Sequence, residues 1–151
     1  GHWSLVLIGY TQCPDWCPTT LETLAQTSAA LADEAAWKAR GQVLFVSIDA
    51  ERDTPEQLAR YVGHFDAGFR AASAAPERLH FLTTQLNMRY TRLSEGDGSQ
   101  WWYDHSAHMA LIGPKLHIVA LFDPPHAAPA LAARMRALLR YFEDPARPYR
   151  P

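Results

Sequence analysis

The sequence predicts an α/β fold, with a central mixed sheet flanked by helices. In the first half, short apolar runs of strand length alternate with helical patterns, an order that implies parallel strands covered by helices. In the second half, two apolar runs flank Gly113-Pro114-Lys115, the arrangement of an antiparallel hairpin. With 151 residues, 48% apolar and 20% charged, the chain fits one domain with a substantial core.

Trp3 to Tyr10 is a short apolar run ended by glycine and reads as a buried central strand. From Pro18 to about Lys38, Leu21, Leu24, Ala25, Leu31, Ala32 and Ala35 mark one buried stripe of a helix, with Gly41 close beyond its end. Gln42 to Asp49 reads as a second buried strand. Thr54-Pro55-Glu56-Gln57 then combines an N-cap, a proline at the first helical position and a capping box, with Leu58, Tyr61, Val62 and Phe65 as the apolar face. Phe69 begins a short strand, and Pro76 to about Asn87 reads as a helix through Leu79, Leu82 and Leu86. Glu95-Gly96-Asp97-Gly98-Ser99 is a loop signal. Trp101 to Ile112 is expected to be one long strand and His117 to Phe122 its return. Pro129 to Phe142 closes the domain as an amphipathic helix through Leu131, Met135, Leu138, Leu139 and Phe142. A single domain over 1–142 is expected, followed by a mobile proline-rich tail over 143–151.

A net charge of −2 without any Lys/Arg-rich run argues against a nucleic-acid partner. The longest apolar stretches, Leu5 to Gly9 and Val43 to Ile48, are far too short to span a bilayer, so the chain is expected to be soluble. It opens at Gly1-His2-Trp3 directly on a strand pattern. That start is read as a processed or trimmed form, with any targeting segment upstream.

The two cysteines stand four apart in Thr11-Gln12-Cys13-Pro14-Asp15-Trp16-Cys17-Pro18, between the first strand and the first helix. Each precedes a proline, which disfavours the helical conformation at both, so a tight loop is expected. Cys13 to Trp16 suits a type I turn, Pro18 the first helical position and Cys17 the N-cap. Backbone N–H groups would then point at sulfur, and the positive end of the helix would lower the thiol pKa. A structural disulfide, a dithiol redox couple and a two-thiolate metal clasp all fit this spacing. Position favours function: open α/β sheets carry their sites at the carboxyl ends of strands, and a disulfide closing so short a ring stabilises little. The element order βαβα, then α, then ββα, with paired cysteines at the first strand-to-helix junction, is that of a thioredoxin-like fold.

A metal would need a third ligand, and seven histidines are available. His64, His80 and His126 fall in or beside helices and suit solvated or capping roles. His105 lies where a loop enters a strand, and Asp104 beside it is placed to orient a ligating imidazole. His108 is sent to the opposite face by its odd spacing. Two thiolates and one imidazole suit copper, as Cu(I) or Cu(II), and leave a position open for exchange. Structural zinc calls for a fourth ligand, which would have to be Asp104 or Asp49.

Gly9 to Thr20, Phe45 to Pro55 and Asp104-His105-Ser106, in this order, resemble the Sco (SenC) family of thioredoxin-like copper-binding proteins over nearly the whole chain, Gly1 to about Tyr141. The resemblance implies copper ligation by Cys13, Cys17 and His105, and a role in assembling the copper centre of cytochrome c oxidase. It implies a copper-accepting oxidase subunit or another copper chaperone as partner, a monomer, and a periplasmic or mitochondrial intermembrane setting. Membrane attachment would come only through an anchor upstream of Gly1. A redox-active Cys13–Cys17 pair exchanging disulfides with a partner, or a redox or copper sensor, are the alternatives. Trp16 replaces a smaller residue common in the family, and Trp101-Trp102-Tyr103 is unusually aromatic. These tryptophans read equally as hairpin packing or as a wall that restricts solvent or docks a partner. Leu116 stands where the last hairpin of the family often has glycine. Asp49 to Asp53 reads as a strand end and helix cap, with Asp49 near the metal.

Overall fold

The first apolar run forms β1 (Trp3–Gly9), the middle strand of a five-stranded sheet, and all but one of its residues are buried. The computed structural model describes residues 1–146. β2 (Gly41–Ser47) pairs with β1 in parallel, and β3 (Arg70–Ala72) pairs in parallel with β2. On the other side of β1, β6 (Met109–Ile112) runs antiparallel, followed by β7 (Ile118–Phe122), giving the order β3-β2-β1-β6-β7. This is the predicted mixed sheet with a thioredoxin-like order of elements. Leu5, Leu7, Phe45 and Leu111 are buried from the sheet, and Leu21, Leu24, Met135 and Leu139 are buried from helices α1 (Trp16–Ala30) and α5 (Ala128–Glu143), which pack on each other. Burial on this scale is the main term holding the domain together, at about 25 cal/mol per Å² of apolar surface.

The helix expected from Pro18 to Lys38 is two helices, α1 and α2 (Ala35–Arg40). Leu31 N–H bonds both the Thr27 and Ser28 carbonyls, and Glu34 N–H bonds Leu31, tightening the last turn and ending α1. The break has a packing cause. On an uninterrupted helix Trp37 would lie about 120° round from the buried Leu31. After the turn Trp37 points inward, its Nε1 donating to Ser28 Oγ at 3.3 Å. Gly41 follows because a Cβ there would lie 2.3 Å from the Trp37 ring.

α3 (Pro55–Phe65) starts as predicted. Gln57 N–H donates to Thr54 Oγ1 at 3.3 Å, and Thr54 N–H donates to Gln57 Oε1 at 2.9 Å. α4 (Pro76–Gln85) is likewise in place.

The long strand expected from Trp101 to Ile112 is two strands in two different sheets. β5 (Gln100–His105) pairs antiparallel with β4 (Tyr90–Glu95) as a separate two-stranded sheet, and only β6 joins the main sheet. The chain turns away at Ser106, whose N–H donates to the Arg89 carbonyl at 2.8 Å while its Oγ accepts from Arg89 N–H at 2.8 Å. Helix α5 extends to Glu143; of the expected tail, residues 147–151 lie outside the described residues. Among the described residues, no helix is long and apolar enough to cross a membrane.

Candidate metal centre

β1 delivers the chain to the site by ending on Gly9, whose carbonyl accepts Ile48 N–H at 2.8 Å. Only glycine fits here: a Cβ would lie 2.7 Å from Cys17 Sγ and from the Phe45 ring. The chain then turns, with Cys13 N–H bonding the Tyr10 carbonyl at 3.2 Å.

The helix begins two residues earlier than the prolines suggest. Asp15, not Cys17, is the N-cap residue; Trp16 and Cys17 are already helical, and Pro18 is the third helical position. First-turn N–H groups have no intrahelical acceptor, so proline is tolerated there as well as at the first position. The Asp15 side chain makes no capping bond. Instead, Cys13 Sγ accepts the Cys17 backbone N–H at 3.3 Å, so a sulfur occupies the place of a capping oxygen.

This separates the two thiols. Hydrogen bonding from the Cys17 thiol pulls the Cys13 pKa far below the usual thiol range, with His105 and the Cys17 N–H adding to it against the opposing effect of burial. Cys17 is pushed up by the same pairing with Cys13 and by burial. The activated sulfur is therefore Cys13, where the sequence reading placed the effect at Cys17.

His105 reaches the cysteines from the last residue of β5. Its Nε2 lies 3.9 Å from Cys17 Sγ, and its Nδ1 lies 3.0 Å from the Ser106 carbonyl, which can only accept. Nδ1 therefore carries the proton in the neutral ring, and Nε2 presents a lone pair to the sulfurs. Burial lowers the His105 pKa, but Cys13 and the Ser106 carbonyl outweigh it and leave the net shift upward. The ligand atoms of Cys13, Cys17 and His105 all lie within 4.8 Å of one another.

The His105 ring takes its Nδ1 partner from the Ser106 carbonyl rather than from Asp104, the acid expected to orient it. Asp104 lies on the exposed face of β5. Asp49 is buried at the end of β2, with its carboxylate engaged by Arg52 Nε and by Tyr103 OH at 3.5 Å. His108 donates through Nε2 to the Leu86 carbonyl at 3.2 Å. Asp53, read from sequence only as part of a helix cap, is buried and ties down the cysteine loop. It accepts from Thr11 N–H at 3.1 Å, from Thr11 Oγ1 at 2.5 Å and from Ser47 Oγ at 2.6 Å.

A cavity of about 460 Å³ opens on the site, lined by Tyr10, Cys13, Trp16, Trp102 and His105 among others. Cys13 faces it; Cys17 sits beneath. Trp16 and Trp102 border it and are exposed over a little under half of their surface, whereas Trp101 is half-buried under the guanidinium groups of Arg52 and Arg92.

A thioredoxin-like domain that gathers two thiols and an imidazole at the end of its central strand is built to hold a soft metal ion or exchange disulfides. The chain belongs to the SCO1/SenC family, whose model matches residues 1–140. It is similar to a Stutzerimonas stutzeri protein named for copper binding, with 33% identity over 76% of this chain and 54% of that protein. It is similar to the human mitochondrial SCO1 homologue, with 29% identity over 93% of this chain and 46% of that protein. Among solved structures, Arabidopsis thaliana ScoI with copper bound superposes with a TM-score of 0.84 and 26% identity, covering 94% of this chain and 86% of that one. The chain spans about half the length of the curated relatives it matches.

Proposed function

We propose that this domain is a copper metallochaperone in which Cys13, Cys17 and His105 hold the ion and pass it, by stepwise ligand exchange, to the thiolates of a partner. The observation that carries this reading is the His105 ring. Its Nδ1 proton is spent on Ser106, which leaves Nε2 as a donor facing two sulfurs. Two sulfurs and one nitrogen suit either copper oxidation state and leave an open position for an incoming ligand. The cavity on the Cys13 side gives a partner's thiolate its approach. The copper-bound Arabidopsis relative supports the cargo, and the mitochondrial human relative supports a setting outside the cytosol. The recipient in this reading is a copper-accepting oxidase subunit or another copper chaperone.

Titrating the reduced protein tests the cargo. One equivalent of copper is expected to bind, with a thiolate-to-Cu(II) charge-transfer band that disappears in His105→Ala and a large loss of affinity in Cys17→Ser. Absence of stoichiometric binding, or a Cys17→Ser variant that binds as tightly as the parent, overturns the reading.

The unequal thiols favour one alternative, disulfide exchange. The Cys13 thiolate would attack a partner disulfide and expel one partner thiolate; Cys17 would then attack the mixed disulfide and release the second. The partner ends reduced and Cys13–Cys17 oxidised. In His105→Ala this exchange is expected to survive while copper affinity falls sharply.

A further inference from the structure

The β4–β5 hairpin carries His105 but belongs to a different sheet from the strand that carries the cysteine loop, so something must hold the two in register. We propose that Arg52 is a positioning residue that clasps this hairpin to the cysteine loop and thereby sets where His105 stands relative to Cys13 and Cys17. The inference rests on the copper reading for its functional meaning, and on the geometry for its substance.

Arg52 bonds three segments at once. Its Nε pairs with buried Asp49 in the loop after β2. Its Nη1 donates to Gln12 Oε1 at 3.1 Å, beside Cys13, and to the Trp101 carbonyl at 3.2 Å, on β5. Its guanidinium carbon also lies over the Trp101 ring, 4.3 Å from the ring centre. Arginine alone offers donors in a rigid planar fork together with a face that stacks on an aromatic ring.

The neighbours reinforce the same join. Tyr103 OH reaches Asp49, and Arg92 lies 4.0 Å from the Trp101 ring centre while pairing with Glu51 at 3.0 Å. Along β5, Trp101, Tyr103 and His105 share the inward face, alternating with exposed Trp102 and Asp104. The clasp therefore grips two of the three inward residues, and His105 is the third. From Trp101 to His105 the strand extends about 13 Å, so a small tilt at the gripped end displaces the far end, where His105 stands.

The test compares wild type, Arg52→Ala, Arg52→Lys, His105→Ala and the Arg52→Ala/His105→Ala double variant. Arg52→Ala is expected to weaken copper binding by about 10–100-fold, the range seen when a group supporting a metal ligand is lost. It should also shift the thiolate-to-Cu(II) band. Arg52→Lys keeps a charge for Asp49 but not the fork, and should fall between the two. In the His105→Ala background, Arg52→Ala should cost no further affinity, because its effect runs through the imidazole. An equal cost in both backgrounds overturns the proposal, as does an unchanged copper affinity in Arg52→Ala. Amide exchange on the copper-free proteins gives a metal-independent readout. Arg52→Ala should speed exchange in β5 while β1 and β2 keep their protection; unchanged β5 exchange overturns the clasp. Failure of wild type to bind copper overturns the chaperone reading instead, and the exchange comparison still decides the clasp. Should Arg52→Ala not fold, Arg52→Lys carries both comparisons.

Discussion

Cys13 and Cys17 share one loop, yet their sulfurs are not equivalent. The Cys13 pKa is lowered by the hydrogen bond from the Cys17 thiol, by His105 and by the Cys17 N–H; Cys17 is raised by that pairing and by burial. A lowered pKa means that the thiolate persists as pH falls, so Cys13 keeps its nucleophile where an ordinary thiol, with a pKa of about 8.5, loses about tenfold per unit. Iodoacetamide should accordingly label Cys13 before Cys17 in the reduced, metal-free protein, at a rate that changes little between pH 8 and pH 6. Peptide mapping by mass spectrometry checks both parts; labelling of Cys17 first, or a steep fall in rate over that interval, contradicts them. The residues of the trio were legible because the only two cysteines stand between the first strand and the first helix, and because His105, among seven histidines, lies at a strand boundary while His64, His80 and His126 fall in or beside helices. Which sulfur is activated was not, because it depends on where the helix starts, and Cys13 Sγ itself helps to set that start. Asp53 was invisible for a related reason: its partners Thr11 and Ser47 come from two other segments, and only the fold brings them together.

Periodic apolar stripes made β1, β2, α3 and α5 readable, because those elements bury one face or both in a single core. β4 had no such signal. Apart from Tyr90 its residues are exposed, so no alternation of apolar and polar positions marks it. The break at Ser106 was equally hidden, since the sequence continues in strand-like residues and the turn comes from pairing with Arg89. The β6–β7 turn shows the opposite case, a local sequence that disagrees with its conformation. Leu116 has φ 66°, in the left-handed region, and is 83% exposed, so its side chain gains little from packing. The strain of about 1–2 kcal/mol that such a residue carries would vanish in Leu116→Gly, against an unfolded-state entropy cost of about 0.4–1 kcal/mol. A net gain of about 0.5–1 kcal/mol is expected, read as a higher denaturation midpoint with an unchanged slope. Leu116→Val, branched at Cβ, should move the midpoint the other way.

The centre lies across a joint. Its sulfurs belong to the loop and helix that follow the central strand, and its imidazole to a hairpin paired only with itself as a sheet. Side chains make the join, through Arg52, Tyr103 and the Tyr10 ring packed 5.3 Å from that of Tyr103. Side-chain joins of this kind protect backbone amides less than a strand ladder does, so β5 should exchange faster than β1 and β2 in the copper-free protein. An ion held by all three ligands adds a further tie across the joint. It stabilises whatever conformation binds it, by about 2.7 kcal/mol when free ligand stands at a hundred times its dissociation constant. Copper should therefore slow exchange in β5 more than in the already protected central strands. In His105→Ala, loaded at copper concentrations that offset its weakened binding, the cysteines take the ion without a tie to the hairpin, so β5 should stay fast while the cysteine loop is protected. Hydrogen exchange read by mass spectrometry, with and without copper, separates the cases. Equal slowing of β5 in wild type and His105→Ala would mean that the metal does not bridge the two sheets.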